Sequence, residues 1–309
     1  MPSNSCVVTS KKQNRRSREF KAHVEFLLFL LPSLLFLVLF TYLPIVRSVV
    51  ESLMSYDVGS RCNRFVGFMN YSDLFSDPVF WKAVSNNLVY AVCTVIPTIA
   101  LSFLFAVILN TNVKFQGFYR LSLFYPSVLP MAAASMVWVF LFNPAYGIIN
   151  HALARLGFEV NADWLNEAPY ALVAIIIVGI WKYVGYYMLF FLAGLQGIDN
   201  SLYEAADIEG ATKWDKFCHI TFPLMTPTTF MVGIVAAVNS FQAVDQVHVM
   251  TRGGPFNSTN MLMYYIYQNG FLYWNTGLAS AASVFLFAIL LIGTGIYFTL
   301  LNKKIQYER

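Results

Sequence analysis

Six long apolar runs dominate this chain, and the stretches between them hold nearly all of its charge. The runs read as about 26–46, 84–109, 121–142, 170–195, 224–247 and 278–301. Each is near or above the roughly twenty residues that a helix rising about 1.5 Å per residue needs to cross a ~30 Å hydrocarbon layer. Pro97, Pro126 and Pro130 lie inside these runs and predict kinks or breaks. A membrane bundle tolerates such breaks where neighbours re-satisfy the freed carbonyls. The first run carries Pro32 and Pro44, not a short apolar core followed by a small-residue cleavage site. It therefore reads as a retained helix and not as a leader. The pattern predicts an all-α polytopic membrane protein with six transmembrane helices. Residues 1–24 form a basic tail, 25–309 the membrane domain, and 196–223 a loop between the fourth and fifth spans.

Composition agrees with lipid as the solvent. Hydrophobic residues make up 58% of the chain and charged ones 12%, about half the charge of an ordinary soluble domain. A soluble chain of 309 residues would need a charged surface that this one lacks. The formal charge of +4 is unevenly placed, with Lys11, Lys12, Arg15, Arg16, Arg18 and Lys21 crowding the first tail. Such a cluster just before a first apolar span is a topology signal and no nucleic-acid arm. With the N-terminus inside, the inner segments hold those six together with Lys114, Arg120, Lys213, Lys216, Lys303, Lys304 and Arg309. The outer segments hold only Arg47, Arg61, Arg64, Lys82, Arg155 and Arg252. Both termini are thus expected to be cytoplasmic.

The charge-bearing candidates for chemistry are few. Cys6, Cys62, Cys93 and Cys218 lie far apart, as do His23, His151, His219 and His248. No disulfide framework or metal-ligand spacing is present, so neither a metal nor a catalytic site is expected. The connections after the first, third and fifth spans are long and carry turn residues such as Asn143-Pro144 and Gly253-Gly254-Pro255. They could pack as a lid facing a soluble partner or be simple solvated loops. No internal repeat is evident, which argues against a carrier built from inverted halves.

The inner loop is the most informative segment. Ser201 followed by Glu204 reads as a capping box that starts a short helix. Gly210 sits where a helix would turn off through the left-handed region. Thr212 with Asp215 repeats the cap pattern, and Pro223 and Pro227 mark entry to the fifth span. Leu202, Ala205, Ala206 and Ile208 leave an apolar side on a segment free to be polar throughout. Taken alone, this describes either a rigid elbow or an interfacial amphipathic segment.

Glu204-Ala205-Ala206, Gly210, Phe217, Ile220, Pro223 and Pro227 together resemble the signature loop of binding-protein-dependent ABC importer permeases, with Glu209 standing where that family usually has Asp. Leu141-Phe142-Asn143-Pro144 with Gly147, Trp181-Lys182, Leu192-Ala193-Gly194-Leu195-Gln196, Thr251-Arg252-Gly253-Gly254-Pro255 and Gly277-Leu278-Ala279-Ser280-Ala281 are similar to the carbohydrate-uptake group of that family. That group includes a glycerol-3-phosphate branch. The resemblance implies a type I importer permease fold in a bacterial or archaeal inner membrane. It implies a second homologous permease, a cytoplasmic ATPase dimer and an extracytoplasmic solute-binding protein as partners. It also implies that Glu204, Ala205, Ala206, Gly210 and Pro223 couple the elbow to the ATPase. The chain has no GxxxxGK[ST] loop of its own, so ATP and Mg are expected on that partner.

Polar groups at membrane depth are candidates for the solute pathway. Lys182 lies midway along the fourth span with Trp181, Tyr186 and Tyr187 around it. Aromatic faces and hydroxyls suit a sugar; equally, the ammonium could meet a buried carbonyl or carboxylate and only fix packing. In the fifth span Asn239, Gln242 and Asp245 form a polar patch, with Asn239 and Gln242 at i, i+3 spacing. Asp245 belongs either at the outer interface or opposite Lys182. Two rivals remain: an ion-coupled secondary carrier, for which only Asp245 offers an intramembrane carboxylate, and a membrane enzyme, which would need clustered His, Asp or Glu.

Overall fold

The computed structural model describes residues 26, 29–57, 62–111, 114–157 and 162–302. The basic tail 1–24 and the terminal Lys303, Lys304 and Arg309 lie outside the described residues. In chain order the elements are α1 (Phe29–Glu51), strands β1 (Met54–Asp57) and β2 (Cys62–Phe65), α2 (Met69–Ser76) and α3 (Pro78–Leu109). Then come α4 (Gln116–Val128), α5 (Met131–Leu141), α6 (Ile148–Arg155), α7 (Ala168–Gln196) and α8 (Asn200–Ile208). The chain ends with α9 (Lys213–Lys216), α10 (Thr226–Phe241), α11 (Asp245–Met250), α12 (Leu262–Tyr267) and α13 (Thr276–Asn302).

Two features depart from six uniform spans. The first is a small hairpin, in which β1 pairs antiparallel with β2 and Met54 faces Phe65. Strands of four residues are too short to show a period in the sequence, so this stretch reads there only as a polar connection. The second departure is the run 121–142, which divides into α4 and α5 with a bend of 102° between them. Pro130 explains the break, because it brings no N–H and drives Leu129 into an extended conformation (ψ 139°). Among the described residues five helical segments are each long and apolar enough to cross a membrane, and the bent pair makes a sixth if it counts as one.

The packing logic is visible on α3. Ala83, Asn87, Thr94, Thr98, Ser102 and Ala106 are buried, while Leu88, Val92, Ile96, Leu104 and Ile108 are exposed. Small and polar residues thus line the helix–helix contact and large apolar ones face outward. That inversion is expected where lipid removes any hydrophobic drive between helices, leaving close packing and hydrogen bonds to hold them. Across this seam Ser102 Oγ donates to the Val184 carbonyl of α7 at 2.7 Å. On α7, Gly185 lets α4 approach to backbone contact, since a β-carbon there would lie 1.8 Å from the Leu123 carbonyl oxygen. The triad α3, α4 and α7 is therefore one closely packed block.

Three buried clusters divide the bundle lengthwise. One joins Ala106, Phe191, Leu195, Met225 and Val232 beside the 199–222 segment. A second, toward the other end, unites Phe142, Trp164, Ile175, Val247, Met261 and Tyr264. The third packs α2 and the start of α3 against α12 and α13 through Leu74, Phe80, Tyr265 and Ala281. In the second cluster the connections after the third and fifth spans pack together, through Ala162 and Trp164 of one and Met250 and Met261 of the other, while the connection after the first span takes no part. Asn150 Nδ2 donates to the Ala162 carbonyl at 3.0 Å, and Trp164 Nε1 donates to Asn150 Oδ1 at 2.6 Å.

Candidate functional site: a capped elbow and a polar cleft

The 199–222 segment is built by its caps. Asp199, not Ser201, is the N-cap of α8: its carboxylate accepts from the Ser201 N–H at 2.9 Å. The capping-box reading from Ser201 and Glu204 is corrected by two residues, because Asp199 already holds the extended cap conformation and Ser201 lies within the first turn. At the other end Gly210 has φ +76°. The Ala211 N–H reaches the Ala206 carbonyl at 2.9 Å, and the Gly210 N–H reaches that of Asp207 at 3.1 Å. These are the paired bonds of a Schellman ending. Thr212 and Asp215 form the complete reciprocal box that starts α9, and the chain then runs on through a wider turn, Phe217–Thr221, and one more, Phe222–Leu224.

Two contacts brace the elbow across the Gly210 corner. Lys216 Nζ pairs with Asp207 Oδ1, and the hydroxyls of Tyr203 and Thr221 lie 3.0 Å apart. An exposed pair of this kind contributes at most about 1 kcal/mol, so the caps and the corner do most to set the shape. Hydrogen bonds from the Ser201 amide, and from the Thr212 hydroxyl and amide, hold the Asp199 and Asp215 carboxyls below their ordinary pKa. The outward face carries Ile208, 89% exposed, and Trp214, 70% exposed, with Glu204, Ala205 and Pro223 also exposed and Ala206 half-buried. Around Gly210 itself is open space. Inward, Trp214 stacks on Phe217, Phe217 lies 5.9 Å from Phe103 of α3, and Phe103 lies 5.3 Å from Phe191 of α7. A continuous run of rings thus joins the elbow to the central block.

Deeper in the bundle a narrow cleft, with room for little more than a water molecule, opens among Tyr90, Thr94, Thr98, Tyr183, Tyr187 and Asn239. Asn239 Nδ2 donates to the Tyr187 hydroxyl at 3.0 Å, and Gln246 Nε2 donates to the Tyr90 hydroxyl at 3.0 Å. Tyr183 and Tyr187 stack at 5.9 Å, and Tyr186 packs edge-on to Tyr187. Of the pathway residues read from the sequence, Tyr187 and Asn239 meet here. Gln242 lies past the end of α10 and is exposed, as is Asp245 at the start of α11. Asn239 and Gln242 therefore do not share a helix face.

Trp181 and Lys182 turn away from this cleft. Trp181 packs edge-on to Trp138 of α5. Lys182, only 6% exposed, donates from Nζ to the carbonyls of Pro126 at 2.8 Å and Ser127 at 3.1 Å, and also to that of Leu129. All three of its protons have carbonyl partners, so it is neither a free cation for a solute nor the partner of Asp245. Its position at the open C-terminus of α4 suits a positive charge, because unpaired carbonyls gather negative potential there. Tyr90, Thr94 and Thr98 are cleft residues that the sequence reading missed, as it did Gln246, which holds the Tyr90 hydroxyl from behind. The spacing of Thr94, Thr98 and Ser102 by fours along one apolar helix was the available signal.

A bundle of membrane-length apolar helices with a capped elbow at one end defines an importer-permease type of transport protein. Solved structures agree on the fold: a bacterial ABC transporter subunit involved in import of the acidic polysaccharide alginate superposes with a TM-score of 0.81 at 20% identity, covering 94% of this chain and 99% of that one. The model of the family described as binding-protein-dependent transport system inner membrane component matches residues 89–307, and the chain belongs to that family. It is 34% identical to the sn-glycerol-3-phosphate transport system permease protein of Agrobacterium fabrum, over 89% of this chain and 94% of that protein. With the sulfoquinovosyl glycerol transport system permease protein of the same organism it shares 36% identity over 90% of each. A lactose transport system permease protein of Rhizobium radiobacter is 35% identical over 78% of this chain and 81% of its own. The protein is a multi-pass membrane permease subunit of an ATP-driven importer, and ATP hydrolysis belongs to a partner ATPase subunit. The ion-coupled carrier reading finds no support among these relatives.

Proposed function

We propose that this chain carries a sugar, an oligosaccharide or a related polyol such as glycerol-3-phosphate across a bacterial or archaeal inner membrane. An extracytoplasmic binding protein delivers the solute, a second homologous permease completes the pathway, and a cytoplasmic ATPase dimer holding ATP and Mg drives the cycle. The chain crosses six times with both termini in the cytoplasm, α4 and α5 together making the third crossing. The observation that carries this reading is the elbow: an exposed apolar face of Ile208 and Trp214, shaped by two caps and a Schellman corner, and joined by stacked rings to α3 and α7. Docked on an ATPase, it converts movement there into a shift between two states of the bundle. The cleft is narrow in this state, and on opening its tyrosine faces and the Asn239 amide would offer the stacking and hydrogen bonding that a polyhydroxylated solute needs.

Gly210→Pro and Glu204→Lys test the coupling. Both should abolish uptake while membrane insertion and the amount of chain in the membrane stay near normal, measured by solute uptake and quantitative blotting. Normal uptake in both variants would remove the elbow from the mechanism. Labelling of a cysteine at position 208 only from outside the cell would reverse the proposed orientation.

A further inference from the structure

One buried turn of α3 holds three separate pieces of the chain. Asn86, Asn87 and Tyr90 are all buried there, Asn87 completely. Asn86 Nδ2 donates to the carbonyls of Asn257 and Asn260 at 2.8 and 2.9 Å, and the Tyr90 hydroxyl accepts from Gln246 of α11. Asn87 joins two elements through one amide. Its Nδ2 donates to the Ser240 carbonyl in the last turn of α10, and its Oδ1 accepts from the Leu262 N–H that opens α12, both at 3.3 Å. Each partner is an orphan of its helix: a carbonyl whose i+4 amide lies past the end, and an amide of the first turn. A side-chain amide carries a donor and an acceptor together. An apolar residue at this position would leave both groups unpaired inside the bundle, where such loss is costly.

The place that Asn87 holds is the edge of the cleft. Helical structure lapses at Gln242–Val244, between α10 and α11. The last turn of α10, just before that break, brings Asn239 and Ser240 into the cleft wall, where Asn239 donates to the Tyr187 hydroxyl of α7. α3 and α7 are locked together by the small-residue seam, so the cleft widens when the end of α10 draws away from them. The bond from Asn87 to Ser240 opposes that movement, and the other end of the same amide is held by the connection that leads into α12. We infer that Asn87 is a positioning residue for transport: it keeps the Asn239-bearing end of α10 against α3, and it makes release of that end depend on the start of α12. The inference rests on the cleft being the solute pathway of the proposed function.

The test uses the complete transporter in proteoliposomes with its solute-loaded binding protein, and reads solute taken up per ATP hydrolysed. Asn87→Leu keeps the volume and removes both bonds. It should lower that ratio about tenfold while hydrolysis continues. A residue that served only to hold the fold would lower the amount of transporter, and with it both rates in proportion, leaving the ratio unmoved. Asn86→Leu, which loses bonds to residues 257 and 260 but none to the cleft wall, should keep a ratio near the native one. A second measurement leaves Asn87 in place. Spin labels at positions 85 and 242, and in a separate sample at 85 and 263, should change their separations in the same step of the ATP cycle. An unchanged ratio in Asn87→Leu, an equal fall in Asn86→Leu, or label pairs that move in different steps would overturn the inference and leave the proposed function standing. A native complex whose uptake is indifferent to ATP would overturn both.

Discussion

Lys182 shows what one residue can mean in two settings. As a letter in an apolar run it is a cation at membrane depth, and such residues usually mark a pathway. In the structure its protons are spent on the carbonyls of Pro126, Ser127 and Leu129. Pro130 cannot supply an N–H, so α4 ends inside the bundle with orphan acceptors, and the ammonium of α7 is what meets them. Lys182→Met removes all three partners at once. Each acceptor left buried and unpaired costs about 1–3 kcal/mol, so the variant should lower the melting temperature and the yield of detergent-extracted protein. Lys182→Gln, which keeps a donor, should recover part of the loss. A melting temperature unchanged in Lys182→Met would show that the cap is dispensable.

At the scale of the element, the elbow's shape depends on carboxylates that act as caps. Asp199 accepts from the Ser201 amide, and Asp215 from the amide and hydroxyl of Thr212. Both carboxyls are held below their ordinary pKa by these bonds. Their contribution is therefore complete above the unfolded value of about 3.9. It is lost as pH falls through the lower folded value. The prediction is that hydrogen exchange at the Ser201 and Thr212 amides stays slow from neutral pH to about 5, after correction for intrinsic rates, and accelerates below about 4. Asp199→Asn with Asp215→Asn should flatten that acceleration. Much of this element was legible beforehand: Gly210 and the Thr212–Asp215 box follow from local chemistry. The N-cap was misplaced from Asp199 to Ser201 because two adjacent capping patterns compete, and only the observed backbone conformation decides between them.

The whole molecule is incomplete in a way that its function explains. The most apolar stretch of α1 buries none of its residues within the chain, and the corresponding stretch of α7 buries half. What covers the remaining apolar surface is lipid or the second permease of the proposed assembly. A chain of this kind has no engine. Reconstituted alone, it should show no uptake under a proton or sodium gradient, and uptake should appear only with ATP, an ATPase pair, a second permease and the binding protein. Gradient-driven uptake by the isolated chain would end the importer-subunit reading. By itself the sequence determined the apolar runs, the charge bias between their connections, and the elbow, because each depends on residues within a turn or two of one another. The break at Pro130 was legible too, but its 102° angle, the hairpin, the small-residue seam of α3, the pairing of Tyr187 with Asn239 and the burial of Lys182 were decided by the tertiary structure. The physical reason is separation: partners such as Lys182 and Pro126 stand 56 residues apart, and no local period in the chain records which helix faces will meet.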